Sequence, residues 1–355
     1  MSTVDAVAQA VRALGAGRTV CLSPGTYRLA DRLTFGPGQS GTANAPATIR
    51  AAEGLGSVTI DAAGHEEALY FAGAQHVAVE GLRITNGAWH AIKIDHPSSD
   101  LLIRGNSLFD NVKAGDDAQY SAIKGCCLAA RITVEGNEIY YTKRGPGSNH
   151  QGIDCNGCDS WVVRGNRIHG IRSAGEGGNA VQFKSGSTDT VIENNVIYDN
   201  FLGVSFGGFG TPSWGGQQHE HVRGIVRNNV IYGNDDAGIS VLDSVDGKVY
   251  NNTLFDNGFT PDVRRAAVNL AYRNNILDRP LNLRDGTSAA TGSNYVLAAP
   301  GDGGIFVDAA GGDFRPKASA GQVVGRGQNL GADVPTDAAG RRRPSGAYDI
   351  GAFQH

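Results

Sequence analysis

The sequence predicts an all-β chain wound as a parallel β-helix, a solenoid of stacked coils. Three observations carry this: a composition rich in turn formers, a recurring six-residue corner, and a second strand-like segment inside each repeat. Of 355 residues, 51 are glycine, 24 asparagine and one methionine. That is about twice the usual ~7 % of glycine. Such a chain suits many tight corners rather than a helical bundle. Apolar residues at 40 % can fill a core, which excludes wholesale disorder.

The N-terminal stretch comes first. Residues 4–15, VDAVAQAVRALG, place Val4, Val7, Ala8, Val11 and Leu14 at helical spacing, and Gly15 supplies a stop. Terminal coils of a solenoid need covering. Residues 1–18 are therefore expected to cap a first coil containing TVCLSPGTYRL (19–29). The corners follow: VEGLRI (79–84), IRGNSL (103–108), VEGNEI (134–139), VRGNRI (163–168), IENNVI (192–197), VRNNVI (226–231), VYNNTL (249–254) and YRNNIL (272–277). From Gly81 through Asn274 their third positions are 24, 31, 29, 29, 34, 23 and 23 residues apart. Repeats of that size with short strands and no helix are the signature of a β-solenoid. Stacking about 4.8 Å apart would align Asn106, Asn137, Asn166, Asn195, Asn229, Asn252 and Asn275 in one ladder, with left-handed backbone expected at those asparagines.

The second segments are HAIKID (90–95), SAIKG (121–125), QGIDCN (151–156), NAVQFKS (179–185), LGVSFGG (202–208), AGISVLD (237–243) and AAVNLAY (266–272). They alternate apolar and polar residues, as a half-buried strand does. Their outward positions read Lys93, Lys124, Asp154, Gln182, Ser205, Ser240 and Asn269, with Lys184 beside Gln182. The β-helix is expected over 19–285, and the Gly/Ala/Asp-rich remainder, 286–355, is expected to pack on it as a covering segment.

Charge and cysteines bound the function. A net charge of −4 excludes a generally basic nucleic-acid binder. No stretch has the ~18 consecutive apolar residues of a membrane span. Five cysteines (Cys21, Cys126, Cys127, Cys155 and Cys158) leave at least one unpaired within the chain. Cys155 falls on an inward position, where core packing or a bridge to Cys126 or Cys127 is expected.

The corner pattern, the opening PGTYRL and the closing YDIGAF resemble bacterial right-handed, single-stranded parallel β-helix proteins, over roughly residues 18–350. That group includes polysaccharide lyases, uronan epimerases, glycoside hydrolases and tail-spike depolymerases. The segment GGNAVQFKSGS (177–187) looks like the lysine-bearing strand of lyases acting on uronates. The resemblance implies an anionic polysaccharide as partner, a secreted or periplasmic location with the signal peptide outside these residues, and a monomer. It implies no nucleic acid and no membrane.

A lyase must remove the weakly acidic proton beside a uronate carboxylate and neutralise the charge that develops there. Lys184 is expected as base, His150 or a wall tyrosine as acid towards the leaving oxygen, and Asp154 as their neighbour on the ladder. Lys93, Lys124 and Gln182 would floor the substrate site. Its walls would come from the insertions, which carry Tyr140, Tyr141, Lys143, Arg144, His150, His169, Arg172, Glu176, Trp214, His219 and His221. Among these Arg144, Arg172, Tyr141 and Trp214 are expected to bind substrate. No cofactor is demanded; calcium is an option at Asp116 and Asp117, or at Asp235 and Asp236, since it favours clustered oxygen ligands. Three alternatives accompany the lyase. Uronan C5-epimerases carry Asp-Pro-His where this chain has Asp95-His96-Pro97. A glycoside hydrolase would need two spaced carboxylates, from Asp95, Asp116, Asp117 and Asp154. A non-catalytic glycan-binding protein would show the same ladder without a base.

Overall fold

The structure is a computed structural model that describes residues 4–112, 120–145, 147, 149–175, 177–208, 210, 214–346 and 348–355. Three long sheets, of 11, 11 and 10 strands, run side by side along the chain, and every neighbouring pair within them is parallel. The first sheet begins at Thr19–Leu22 and the second at Gly25–Arg28. The third begins at Leu33–Phe35 and contains His90–Asp95, Tyr120–Cys126, His150–Asn156, Asn179–Lys184 and Leu202–Phe206. Each coil adds one strand to each sheet, and the inward side chains of all three fill a single continuous core.

The corner between the first and second sheets is built as the repeats foretold. Asn106 Nδ2 donates to Asn137 Oδ1 at 3.0 Å, and the same bond recurs through Asn166, Asn195, Asn229, Asn252 and Asn275 to Asn294. Backbone strain sits one residue earlier than expected. Gly105, Gly136, Gly165, Asn194, Asn228, Asn251 and Asn274 have φ between +52° and +63°. Glycine and asparagine tolerate that region best, which explains the alternation of these two types at one position. The ladder asparagines themselves lie inside, where stacked amides satisfy one another and the backbone. A second ladder, Asn200–Asn234–Asn257–Asp278, follows the second sheet.

The helix Val4–Arg12 places Val7 and Val11 in the core at the N-terminal end, with Leu14 following. At the other end the first two sheets gain strands at Ala289–Gly292 and Tyr295–Val296, beyond residue 285. Residues after 300 add a hairpin, Phe306–Asp308 with Asp313–Pro316, and an apolar cluster that packs on Val230 and Ile276. One strand assignment fails. Asp262–Arg264 takes the third-sheet place after Ser240, whereas Leu270–Arg273 lies in the first sheet. Asn269 is thus a turn residue with φ +52°, off the ladder.

Candidate active site

The outward row of the third sheet reads Tyr70, Lys93, Lys124, Asp154, Gln182, Ser205, Ser240 and Asp262, each paired in register with the next. Inward neighbours such as Ile153 and Phe183 are fully buried. The row is therefore fixed by the packing of the opposite faces of the same strands. A parallel row two residues on contains Asp95, Cys126, Asn156 and Lys184.

At the centre, Asp154 is 1 % exposed and shared between two ammonium groups. Lys124 Nζ donates to its Oδ2, and Lys184 Nζ lies 3.1 Å from its Oδ1. Lys184 also donates to Gln182 Oε1 at 3.0 Å, and Gln182 Nε2 donates to the Gly207 carbonyl at 3.2 Å. Burial alone would raise the Asp154 carboxyl; Lys124 and Lys184 outweigh it and hold it down at about 2. Beside Lys184, Glu220 is buried and accepts the Ser185 N–H at 2.7 Å.

Towards the N-terminus the row opens into a cleft of about 610 Å³, lined by Trp89, His90, Lys93, Asp95, His96, Lys124, Cys126 and Cys127. Lys93 lies 3.7 Å from Asp95 and 3.9 Å from Glu67, and Arg32 donates to Glu67 at 2.7 Å. Tyr70 donates to Asp95 at 2.9 Å, with the Arg32 guanidinium 4.3 Å from its ring centroid. The concavity lies over Lys93 and Lys124, whereas the sequence reading centred the site on Lys184, beyond Asp154. Arg32, Glu67, Tyr70 and Trp89 were missed. Period-2 alternation in EALYFA (67–72) was the available signal for the coil that carries Glu67 and Tyr70.

The wall residues divide. Trp214 is 44 % exposed and packs against Gly157 at the end of the strand that pairs with Lys184's own. A Cβ at Gly157 would lie 2.4 Å from the Trp214 Cβ, so the close approach needs glycine there. Tyr141 and His150 are corrections. His150 is fully enclosed, in ring contact with Tyr120 and Tyr141 at 4.8 and 6.0 Å, and its imidazole occupies the space a side chain at Gly145 would need. Tyr141 is 6 % exposed, and burial raises its hydroxyl pKa. Neither reaches a substrate on the row. Arg144 and Arg172 are also displaced: Arg172 pairs with Asp199 at 2.7 Å and Asp235 at 2.9 Å, and Arg144 with Asp235 at 3.7 Å, in turns that follow the second sheet. His169 stacks with Tyr140 and Tyr198 on the second sheet, and His221 is buried against Phe206.

Asp116, Asp117 and Glu176 lie outside the described residues. Among the described residues no three His, Cys, Asp or Glu side chains gather as a metal would require, and Asp235 is engaged by two arginines. The described residues thus assemble no carboxylate cluster of the kind calcium favours. The cysteines pair locally, Cys126 with Cys127 and Cys155 with Cys158, rather than from coil to coil; Cys21 is free.

Two buried imidazoles make stability acid-sensitive. Burial, reinforced by Lys124, pushes His90 down to about 3, and burial does the same to His221. An unfolded histidine titrates near ~6.5. Their contribution is therefore complete above about pH 6.5 and lost as pH falls towards 3, whereas that of Asp154 is lost only between about pH 4 and 2. Denaturant midpoints should hold between pH 8 and 7 and drop by pH 5, with further loss at pH 4. Equal midpoints at pH 7 and pH 4 would contradict neutral, buried rings.

Residues 67–311 match the model of the family described as "Right handed beta helix region". The chain belongs to this family. The right-handed β-helix is shared with solved structures at low identity. The pectate lyase Pel9A superposes with a TM-score of 0.69 at 17 % identity, covering 98 % of this chain and 90 % of that one. An alginate lyase from Paenibacillus sp. str. FPU-7 gives 0.55 at 18 % identity, over 83 % and 98 %. A PL6 alginate lyase in complex with a trisaccharide gives 0.51 at 15 %, over 77 % and 68 %. No curated protein matches by sequence. At these identities the likeness is one of fold, and the β-helix is what the chain has in common with them.

Proposed function

We propose that this β-helix protein is a polysaccharide lyase that cleaves a uronate-containing anionic polysaccharide by β-elimination, with Lys184 as the base. The observation that carries the reading is the Lys124–Asp154–Lys184 group on the outward row, beside a cleft floored by Lys93 and Lys124. Fold neighbours described as pectate and alginate lyases support the same class. An oligosaccharide lying along the row would meet a new coil about every 4.8 Å, so three steps, about 14 Å, separate the coil of Lys93 from that of Lys184.

In the elimination Lys184 Nζ takes the proton from C5. The C5–H electron pair becomes the C4=C5 double bond, and the C4–O bond breaks with its pair on the leaving oxygen. Lys124, which shares Asp154 with Lys184, neutralises the charge that develops on the C5 carboxylate. Asp154 and Gln182 fix the direction of the Lys184 amine. With His150 enclosed, the proton for the leaving oxygen has to come from a group open to the cleft or from water. Such a substrate fits a secreted or periplasmic location, and two disulfides fit an oxidising compartment.

The test is a panel of alginate, pectate, glucuronan and glycosaminoglycans, followed by ultraviolet absorbance of an unsaturated uronate. One polymer of the panel should give rising absorbance. Solvent proton exchange without cleavage would mark an epimerase. New reducing ends without absorbance would mark a hydrolase, and tight binding without reaction a glycan-binding protein.

A further inference from the structure

His90 stands in the cleft with no part in the elimination. It opens the strand His90–Asp95, and its Nδ1 lies 3.2 Å from the Ser121 carbonyl oxygen. A carbonyl oxygen only accepts, so Nδ1 carries the proton and Nε2 keeps its lone pair. The residue is 6 % exposed yet lines the cleft beside Lys93 and Lys124. Burial and Lys124 hold the imidazole far below its usual range, at about 3, so the ring stays neutral at working pH. Its place is rigid. The backbone N–H groups of Trp89 and His90 each lie 2.9 Å from the Glu66 carbonyl. A Cβ at Gly87 would come within 2.1 Å of the His90 carbonyl oxygen, so only glycine lets this turn close.

The cleft therefore sets two ammonium donors next to a buried acceptor that cannot donate. Asp95, the cleft's carboxylate, is already engaged by Tyr70 and Lys93. A sugar carboxylate satisfies the ammoniums; a lone pair on nitrogen is satisfied only by a donor, which on a uronate is a hydroxyl. We propose that the cleft over Lys93 and Lys124 is a recognition subsite for a uronate residue with a free hydroxyl, which donates to His90 Nε2 while the carboxylate rests on the two lysines. His90 acts in specificity, since so weak a base has no use in proton abstraction. The ligand class rests on the lyase reading; the hydrogen bond does not depend on the chemistry. O-acetylation of that hydroxyl removes the donor, and a site built to bond a hydroxyl rejects such analogues.

The experiment is calorimetric titration of the full chain carrying Lys184→Ala, which prevents turnover, with trigalacturonate and trimannuronate, each free and O-acetylated. At least one free trisaccharide should bind, with its acetylated form about tenfold weaker or worse. Adding His90→Phe should weaken the free form about tenfold and erase the preference, whereas His90→Gln, which keeps an acceptor, should retain it. Independently, the ¹⁵N resonance of His90 Nε2 should shift when the free trisaccharide is added. That measurement decides the matter if His90→Phe does not fold. An unmoved resonance, unchanged affinity in folded His90→Phe, equal binding of acetylated and free forms, or no binding of any trisaccharide overturns the subsite. The two readings fail separately. Unsaturated product from the wild type with no effect of His90 removes the subsite and leaves the lyase; His90-dependent binding with no unsaturated product on any polymer does the reverse.

Discussion

Lys184→Ala should abolish turnover, by about a thousandfold or more, while leaving the protein folded and substrate binding largely intact. Removal of an interaction made only in the transition state lowers kcat without weakening the ground-state complex. The substitution leaves Asp154 still paired with Lys124, so the buried carboxylate keeps a partner and the fold loses little. Lys184→Arg should be equally inactive, because a guanidinium stays protonated and cannot accept the C5 proton. The competing account treats Lys124, Asp154 and Lys184 as a structural ion-pair cluster. It predicts a lowered melting temperature with turnover per folded molecule preserved. Initial rates and thermal melts on the same preparations separate the two, and full activity in folded Lys184→Ala protein would eliminate Lys184 as base.

Asp154→Ala should cost stability as well as activity. It leaves two ammonium groups, both largely buried, without their shared carboxylate. Removing one partner of a buried pair costs about 3–5 kcal/mol, more than the pair contributes when intact, because the remaining charge stays buried. The denaturant midpoint should fall accordingly at pH 7, and both lysines should lose their orientation. An unfolding free energy within about 1 kcal/mol of wild type would mean that Lys124 and Lys184 turn to solvent at little cost.

What the sequence could disclose depended on how local the signal was. The corner asparagines were legible because each occupies the same place in a six-residue pattern, and stacking then brings them together. The row from Lys93 to Ser240 was legible because Ile92, Ile123, Ile153 and Val181 mark the inward face one residue earlier. The alternation gave out at Asp262–Arg264, a strand of three residues with charges at both ends, too short and too polar to show a period. His150 and Tyr141 looked like wall residues because insertions carry them. Nothing local says that an insertion folds its rings back against one another. Cysteine pairing failed likewise: coil stacking suggested a bridge between repeats, and the chain closed two short loops instead. His90 was invisible as a site because its fixed tautomer depends on Ser121, a whole coil away.

The asparagine column has a direction. From Asn106 to Asn275 each amide donates towards the next coil and accepts from the coil before, so flipping one would set oxygen against oxygen on one side and hydrogen against hydrogen on the other. The backbone N–H groups of Asn106, Asn137 and Asn166 bond the same oxygens, which fixes the sense of the whole column. This corner admits no extra residue. The extra length of the long coils falls elsewhere, at 110–119, 141–149 and 170–178 between the second and third sheets, and at 207–220 after the third. Spine and walls can therefore diverge independently in evolution. Such a chain can lengthen by duplicating whole coils, or change what it grips by rewriting its loops, and in either case the column keeps count.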